Sequence, residues 1–222
     1  YAEALKYIDE AIEINPETLA YTTKGYILYN QQKYEESIKC FNKAIELDEK
    51  VEETSNFYFT GLAFYMLKKY KKAIEYLNEC LKSNPQDIDA YYFKGESFLD
   101  LREYDKAREC FNKILEIDPE NVGALNSLGN SYLNKGKYHK AIEFYNRAIS
   151  IEPNDYLYYN KGLAYKYLKE FEKSLEYFNQ SLKLNPKYTS SLCQKRIVLK
   201  YLEKFDEMKE LEDFLASPEF KG

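Results

Sequence analysis

A glycine returns along this chain at Gly25, Gly61, Gly95, Gly129 and Gly162, in steps of 36, 34, 34 and 33 residues. An aromatic keeps the same beat at Tyr1, Tyr34, Tyr70, Tyr104, Tyr138, Phe171 and Phe205. Three residues after each stands a small residue, at Ala4, Ser37, Ala73, Ala107, Ala141 and Ser174, until Met208 breaks the series. Proline closes most units, at Pro16, Pro85, Pro119, Pro153 and Pro186. Several columns that agree on one period near 34 residues dictate a single supersecondary unit repeated in tandem. One such unit cannot bury its apolar face alone, so neighbours must stack.

Each unit reads as two helices. In the first, Tyr91, Gly95, Phe98 and Leu101 follow helical spacing. In the second, Tyr138, Ala141, Ile142, Tyr145, Ala148 and Ile149 form an apolar stripe. Glycine inside a helix costs about 1 kcal/mol relative to alanine, so five at one phase require a compensating gain. The expected gain is close packing, with Gly95 on the first helix approaching Ala107 on the second. Proline then stops the second helix because it cannot continue the backbone ladder.

These columns, clearest in Tyr91 to Pro119 and Leu125 to Pro153, resemble the tetratricopeptide repeat (TPR) family over nearly the whole chain. The resemblance implies an all-α right-handed solenoid of antiparallel helix pairs, about 13 helices in all. Residues 1–17 match only a second helix, so the chain is expected to be a piece of a longer array. Full units are expected at 18–53, 54–87, 88–121, 122–154 and 155–188. Residues 189–216 depart from the pattern: Arg196 replaces the glycine, Met208 the alanine and Glu212 the large apolar residue. A degenerate terminal repeat of this kind is expected to cap the array before the tail 217–222. The first full unit has two extra residues and no proline. Its acidic stretch (Asp48, Glu49, Glu52, Glu53) implies a longer second helix or a reshaped, solvated turn.

Composition narrows the function classes. The 222 residues carry 32 basic and 37 acidic side chains, a net charge of -5 mixed along the sequence, which is not the basic footprint of a nucleic-acid binder. Lys68, Lys69, Lys71 and Lys72 cluster, but Glu75 and Glu79 follow on the same helix. No apolar run approaches the roughly 18 residues a membrane span needs. Cys40, Cys80, Cys110 and Cys193 have no metal-ligand spacing. Cys40 and Cys110 share a phase two repeats apart. Helices stack about 8–10 Å apart, which puts this pair beyond the roughly 7 Å Cα limit of a disulfide. All four are read as reduced and mostly buried, which suits a cytoplasmic setting. The single histidine, His139, falls at a solvent phase. No nucleophile elbow, phosphate loop or zinc motif is present, so no catalysis and no cofactor are expected.

A solenoid offers instead the long concave face of its first helices, and in the resembled family that groove holds an extended peptide or a partner helix. Counting around the packing glycine, the inward candidates on the first two units are Tyr26, Tyr29, Asn30, Tyr58, Tyr65 and Met66. Tyr92, Glu96 and Asp100 follow on the third, and Asn126, Asn130 and Asn134 on the fourth. The fifth adds Tyr159, Lys166 and Tyr167, and the degenerate unit Lys200 and Tyr201. The three asparagines lie four residues apart, so they stack on one helical face. Their amides can offer donor and acceptor to a ligand's peptide groups. The groove tyrosines are expected to be rigid amphipathic contacts. The lysine, asparagine and arginine set that chaperone-tail adaptors use to grip a terminal carboxylate is not found. The matching places from the first unit hold Thr22, Tyr26, Phe59, Asp89 and Phe93. The reading is a non-catalytic scaffold that binds a protein or peptide, without nucleic acid or membrane. The alternative is a structural module that self-associates through exposed repeat ends.

Overall fold

The apolar spacing of each half-unit is satisfied by one helix. The computed structural model describes residues 2–48, 54–217 and 220, and among them thirteen helices and no strand. The chain divides into two units, Tyr1–Ile117 and Asp118–Gly222. The first holds α1 (Ala2–Ile14), α2 (Thr18–Asn30), α3 (Tyr34–Leu47), α4 (Thr54–Met66), α5 (Tyr70–Ser83), α6 (Ile88–Asp100) and α7 (Tyr104–Ile117). The second holds α8 (Val122–Asn134), α9 (Tyr138–Ile151), α10 (Asp155–Tyr167), α11 (Phe171–Leu184), α12 (Thr189–Tyr201) and α13 (Phe205–Ala216). This is the all-α helical-hairpin class that the periodicity predicts.

Within the first unit α2 packs on α3, α4 on α5 and α6 on α7, while α2 meets α4 and α4 meets α6. The second unit repeats the scheme: α8 with α9, α10 with α11, α12 with α13, and the first helices α8, α10 and α12 in succession. First helices therefore form one layer of each unit and second helices the other.

The glycine column sits where the two layers meet; the small column does come close, as the Ala73 carbonyl oxygen does at 3.3 Å from a Cβ on Gly61, but the nearest partner is a larger side chain. A Cβ added at Gly95 would lie 2.6 Å from the ring of Phe111, sixteen residues on, and no atom of Ala107 is nearer. The same offset recurs. Gly25 faces Phe41 at 2.6 Å, Gly61 faces Leu77 at 2.8 Å, Gly162 faces Phe178 at 2.7 Å, and Gly129 faces Tyr145. Each of these five large side chains is fully buried. The small column still matters, because Ser37, Ala73, Ala107, Ala141 and Ser174 are all buried too, and Ser174 Oγ donates to the Gly162 carbonyl at 2.9 Å. Hence glycine makes room for a ring, and the small column brings the backbones close. In α12 and α13 the corresponding places hold Arg196 and Glu212, joined as an exposed ion pair at 3.1 Å.

Repeats are also tied by polar bonds at the period itself. Thr22 Oγ1 donates to the buried Asn56 at 2.9 Å, and Tyr76 Oη donates to Asn42 at 3.0 Å, both 34 residues apart. Helix α3 is 14 residues long, the length of α5, α7, α9 and α11. The extra residues of that unit therefore do not lengthen the helix; Glu49, Glu52 and Glu53 lie outside the described residues.

A second periodic feature escaped the sequence. Between the helices of each hairpin one residue takes a left-handed backbone: Gln32, Lys68, Arg102, Gly136, Lys169 and Glu203, with φ between 57° and 73°. At each, the following amide bonds back five residues, as Lys33 N does to the Leu28 carbonyl at 2.9 Å. The left-handed residue itself bonds back three, as Gln32 N does to Tyr29 O at 2.8 Å. This two-bond pattern closes the carbonyls at a helix C-terminus and is ordinarily built on glycine. Here five of six positions are not glycine, although an L side chain there costs about 1–2 kcal/mol. Arg102→Gly is therefore expected to raise stability by up to about 1 kcal/mol in urea denaturation. Glu109→Gly, in the middle of α7, is expected to lower it by about 1 kcal/mol. A loss on Arg102→Gly would contradict the assigned turn.

Candidate partner-binding face of the first helices

With their glycine side committed to the second helices, the first helices have another side left over. In the first unit that side is a sheet of aromatic rings. Tyr26 meets Phe59 edge-on at 4.5 Å between centroids and Phe41 at 5.4 Å. Tyr29 meets Phe59 at 5.8 Å and Tyr58 meets it at 4.9 Å. One repeat on, Phe93 takes the place of Phe59, with Tyr58 at 6.3 Å, Tyr65 at 5.5 Å and Tyr92 at 5.6 Å. These contacts are edge-to-face, which pairs the positive rim of one ring with the negative face of the next, while Phe41 and Phe59 are tilted by 30° at 6.0 Å. Four predicted residues, Tyr26, Tyr58, Tyr65 and Tyr92, are thus brought together, each half-buried. Asn30 is exposed at the end of α2.

The hydroxyls of Tyr58 and Tyr65 ionise less readily than an exposed tyrosine's. Burial pushes Tyr65 up to about 12, helped by the carboxylates of Glu96 and Asp100. Burial also raises Tyr58, with Asp89 and Asp87 adding to the effect. Glu96, half-buried, is thereby placed beside Tyr65 as a predicted site residue.

In the second unit the face is built of amides. Asn126 Oδ1 accepts a bond from Asn160 Nδ2 at 2.9 Å, again across 34 residues. Asn130 Oδ1 accepts from the hydroxyl of the buried Tyr145 at 2.8 Å. Two of the three ladder carbonyls therefore each accept one bond inside the protein, and what those residues can offer a ligand is mainly their Nδ2 donors, with one further lone pair on each oxygen. Asn134 is exposed. Tyr159 packs on Phe178 at 5.9 Å and Tyr188 at 5.4 Å. Lys166 Nζ donates to Gln194 Oε1 at 2.6 Å, and burial lowers its pKa. Tyr167 stacks on Tyr138 at 5.4 Å yet remains 50% exposed. Tyr201 stacks in the same way on Phe171 at 4.7 Å.

Sequence reasoning passed over the residues that prop this face: Phe59 and Phe93 beneath the tyrosines, and Asn160 and Gln194 beside the amides and the lysine. The signal for two of these pairs was present, since Phe59 and Phe93, like Asn126 and Asn160, lie one 34-residue period apart.

Family models agree with the architecture. The tetratricopeptide repeat model matches residues 18–51, 122–155 and 156–188, and a second TPR repeat model matches 95–136. The chain belongs to the tetratricopeptide repeat family. A model of anaphase-promoting complex subunit 3 also matches residues 47–114 of this TPR chain. A TPR repeat-containing protein of Methanocaldococcus jannaschii is 31% identical over 90 residues, which is 40% of this chain and 15% of that protein. A DnaJ homolog subfamily C member 3 homolog of Dictyostelium discoideum is 32% identical over 92 residues, 39% of this chain and 18% of that protein. The matches thus span less than a fifth of these relatives' length. Among solved structures, YrrB, described as a TPR protein with an unusual peptide-binding site, aligns with a TM-score of 0.68 at 22% identity. That alignment covers 85% of this chain and 97% of YrrB. MamA of Desulfovibrio magneticus aligns with a TM-score of 0.71 at 19% identity, over 77% of this chain and 96% of the other. At these identities the likeness is one of fold, and the TPR fold is that of protein–protein interaction scaffolds. No helix among the described residues is long and apolar enough to cross a membrane.

The face has a pH signature. Tyr65 ionises less readily in the folded chain than its ordinary value of 10.0. Its contribution to stability is therefore complete below pH 10 and is lost as pH rises through about 12. Urea midpoints followed across this range are expected to fall less steeply in Tyr65→Phe than in the parent. An unchanged slope would contradict the assigned environment.

Proposed function

We propose that this TPR chain is a non-catalytic cytoplasmic adaptor that holds a peptide or helix of a partner protein against the first-helix face of its repeats. The observation that carries the reading is the composition of that face. Half-exposed tyrosines, braced by other rings, lose little side-chain freedom on contact, which makes them efficient anchors. The amides of Asn126, Asn130 and Asn134 supply donors suited to backbone carbonyls. Asn30 in the first unit, and Asn134 and Tyr167 in the second, are exposed. The peptide-binding site named for YrrB is that protein's own, and supports this reading only as an example of the fold in use.

Self-association through exposed repeat ends is the competing reading. The Arg196–Glu212 ion pair supports residues 189–216 as a capping repeat, because a solvent-tolerant pair replaces the buried glycine and ring.

A photo-crosslinking amino acid placed at Asn30, Asn134 or Tyr167 is expected to trap a partner from lysate of the source cell. The same group at the exposed Lys82 of α5 or Glu143 of α9 is expected to trap none. Equal trapping from the second helices would refute the first-helix face. Adducts of the chain with itself alone would favour self-association.

A further inference from the structure

We propose that the aromatic face of the first unit accepts a cationic partner segment, an extended stretch carrying arginine. The proposal rests on the adaptor reading above and names the ligand class for one part of that face.

The argument starts from where the charges are. Helix α4, central in the unit, has no charged residue between Thr54 and Met66. The one cation of α2, Lys24, is held at 2.5 Å by Asp9 of α1. The one cation of α6, Lys94, lies over the ring of Tyr91 at 6.0 Å and lines, with Lys106, Lys113 and the buried Cys110, a cleft on the side of α5 and α7. Both lysines therefore belong to the second-helix side. The charges that bear on the tyrosine face are carboxylates: Asp89 and Asp87 act on Tyr58, and Glu96 and Asp100 act on Tyr65. Asp89 and Asp100 are exposed.

Rings and carboxylates in this arrangement select by charge. A cation over a tyrosine face gains about 0.5–2 kcal/mol from the ring quadrupole, more as water is excluded. A carboxylate at its edge adds a charge-assisted bond. Arginine meets both at once, because its planar guanidinium stacks on a ring while its fork of donors engages the carboxylate. An acidic segment would be repelled. A purely apolar one would cover the charges of Asp89 and of Asp100, which Tyr70 already bonds, without a cation to balance them, and that is costly. An extended chain places alternate side chains about 6.4–6.8 Å apart, short of the about 8–10 Å between adjacent first helices, and the long arginine side chain spans the difference. The exposed Met66 continues the apolar surface at the same end of α4.

The test uses the full chain and fluorescein-labelled peptides of alternating arginine and serine, followed by anisotropy. Matched peptides replace every arginine with lysine, glutamine or glutamate. The arginine peptide is expected to bind tightest and the lysine peptide several-fold weaker. The glutamine and glutamate peptides are expected to bind at least about tenfold weaker. Asp100→Asn and Tyr65→Leu are each expected to weaken the arginine peptide several-fold, whereas Asp213→Asn, which removes one exposed carboxylate from α13, leaves it unchanged. Equal loss from Asp213→Asn, or no binding of the arginine peptide, would overturn the proposal. If the glutamine peptide binds as well and Tyr65→Leu still abolishes binding, the charge argument falls while the groove reading stands. If binding ignores Tyr65 altogether, the groove reading fails in this unit as well.

Discussion

The five glycine-bearing repeats depend on a large side chain packed against that glycine. Phe41, Phe111, Tyr145 and Phe178 fill the space that a Cβ on Gly25, Gly95, Gly129 or Gly162 would need, and Leu77 does the same for Gly61. Burying a side chain of this size contributes about 1.5–3 kcal/mol, more than the roughly 1 kcal/mol that a helical glycine costs. The contact fixes how closely a first helix approaches its second, and so which side of the first helix is consumed by packing. What remains of that helix is free to vary, and in this chain it varies from tyrosines in the first unit to asparagines in the second.

The periodic columns made the fold legible because close packing permits few residue types. Only glycine fits beneath a buried ring, and only small residues fit the helix crossing, so the period survives in the sequence. The partner of the glycine was harder to read. Ala107 and Phe111 lie one helical turn apart on the same side of α7, and spacing alone does not say which of them meets Gly95. The hairpin turns were illegible for the opposite reason. Gln32, Lys68, Arg102, Lys169 and Glu203 carry no mark of a left-handed backbone, since the surrounding helices impose that conformation against local preference.

The first-helix side of the proposed site was legible as a face and not as a set of interactions. Helical counting from the glycine selected Tyr26, Tyr58, Tyr65 and Tyr92, and these do cluster. It did not reveal that Asn126 and Asn130 spend their carbonyls on Asn160 and Tyr145, because those bonds cross between helices. It also did not reveal that Lys166 is bonded to Gln194. A side chain that braces the repeat has less to give a ligand, so on the proposed binding face the amides of the second unit offer mainly donors and the tyrosines of the first their rings and neighbouring carboxylates.

The most direct test of the central contact is a double-mutant cycle on Gly95→Ala and Phe111→Ala, read by urea denaturation. Gly95→Ala alone is predicted to destabilise by about 1–3 kcal/mol through overpacking, although alanine is the better helix former. In the Phe111→Ala background, where the ring is gone, the same change is predicted to stabilise, so the two effects couple strongly. Additive effects, or a Gly95→Ala chain more stable than its parent, would contradict the account.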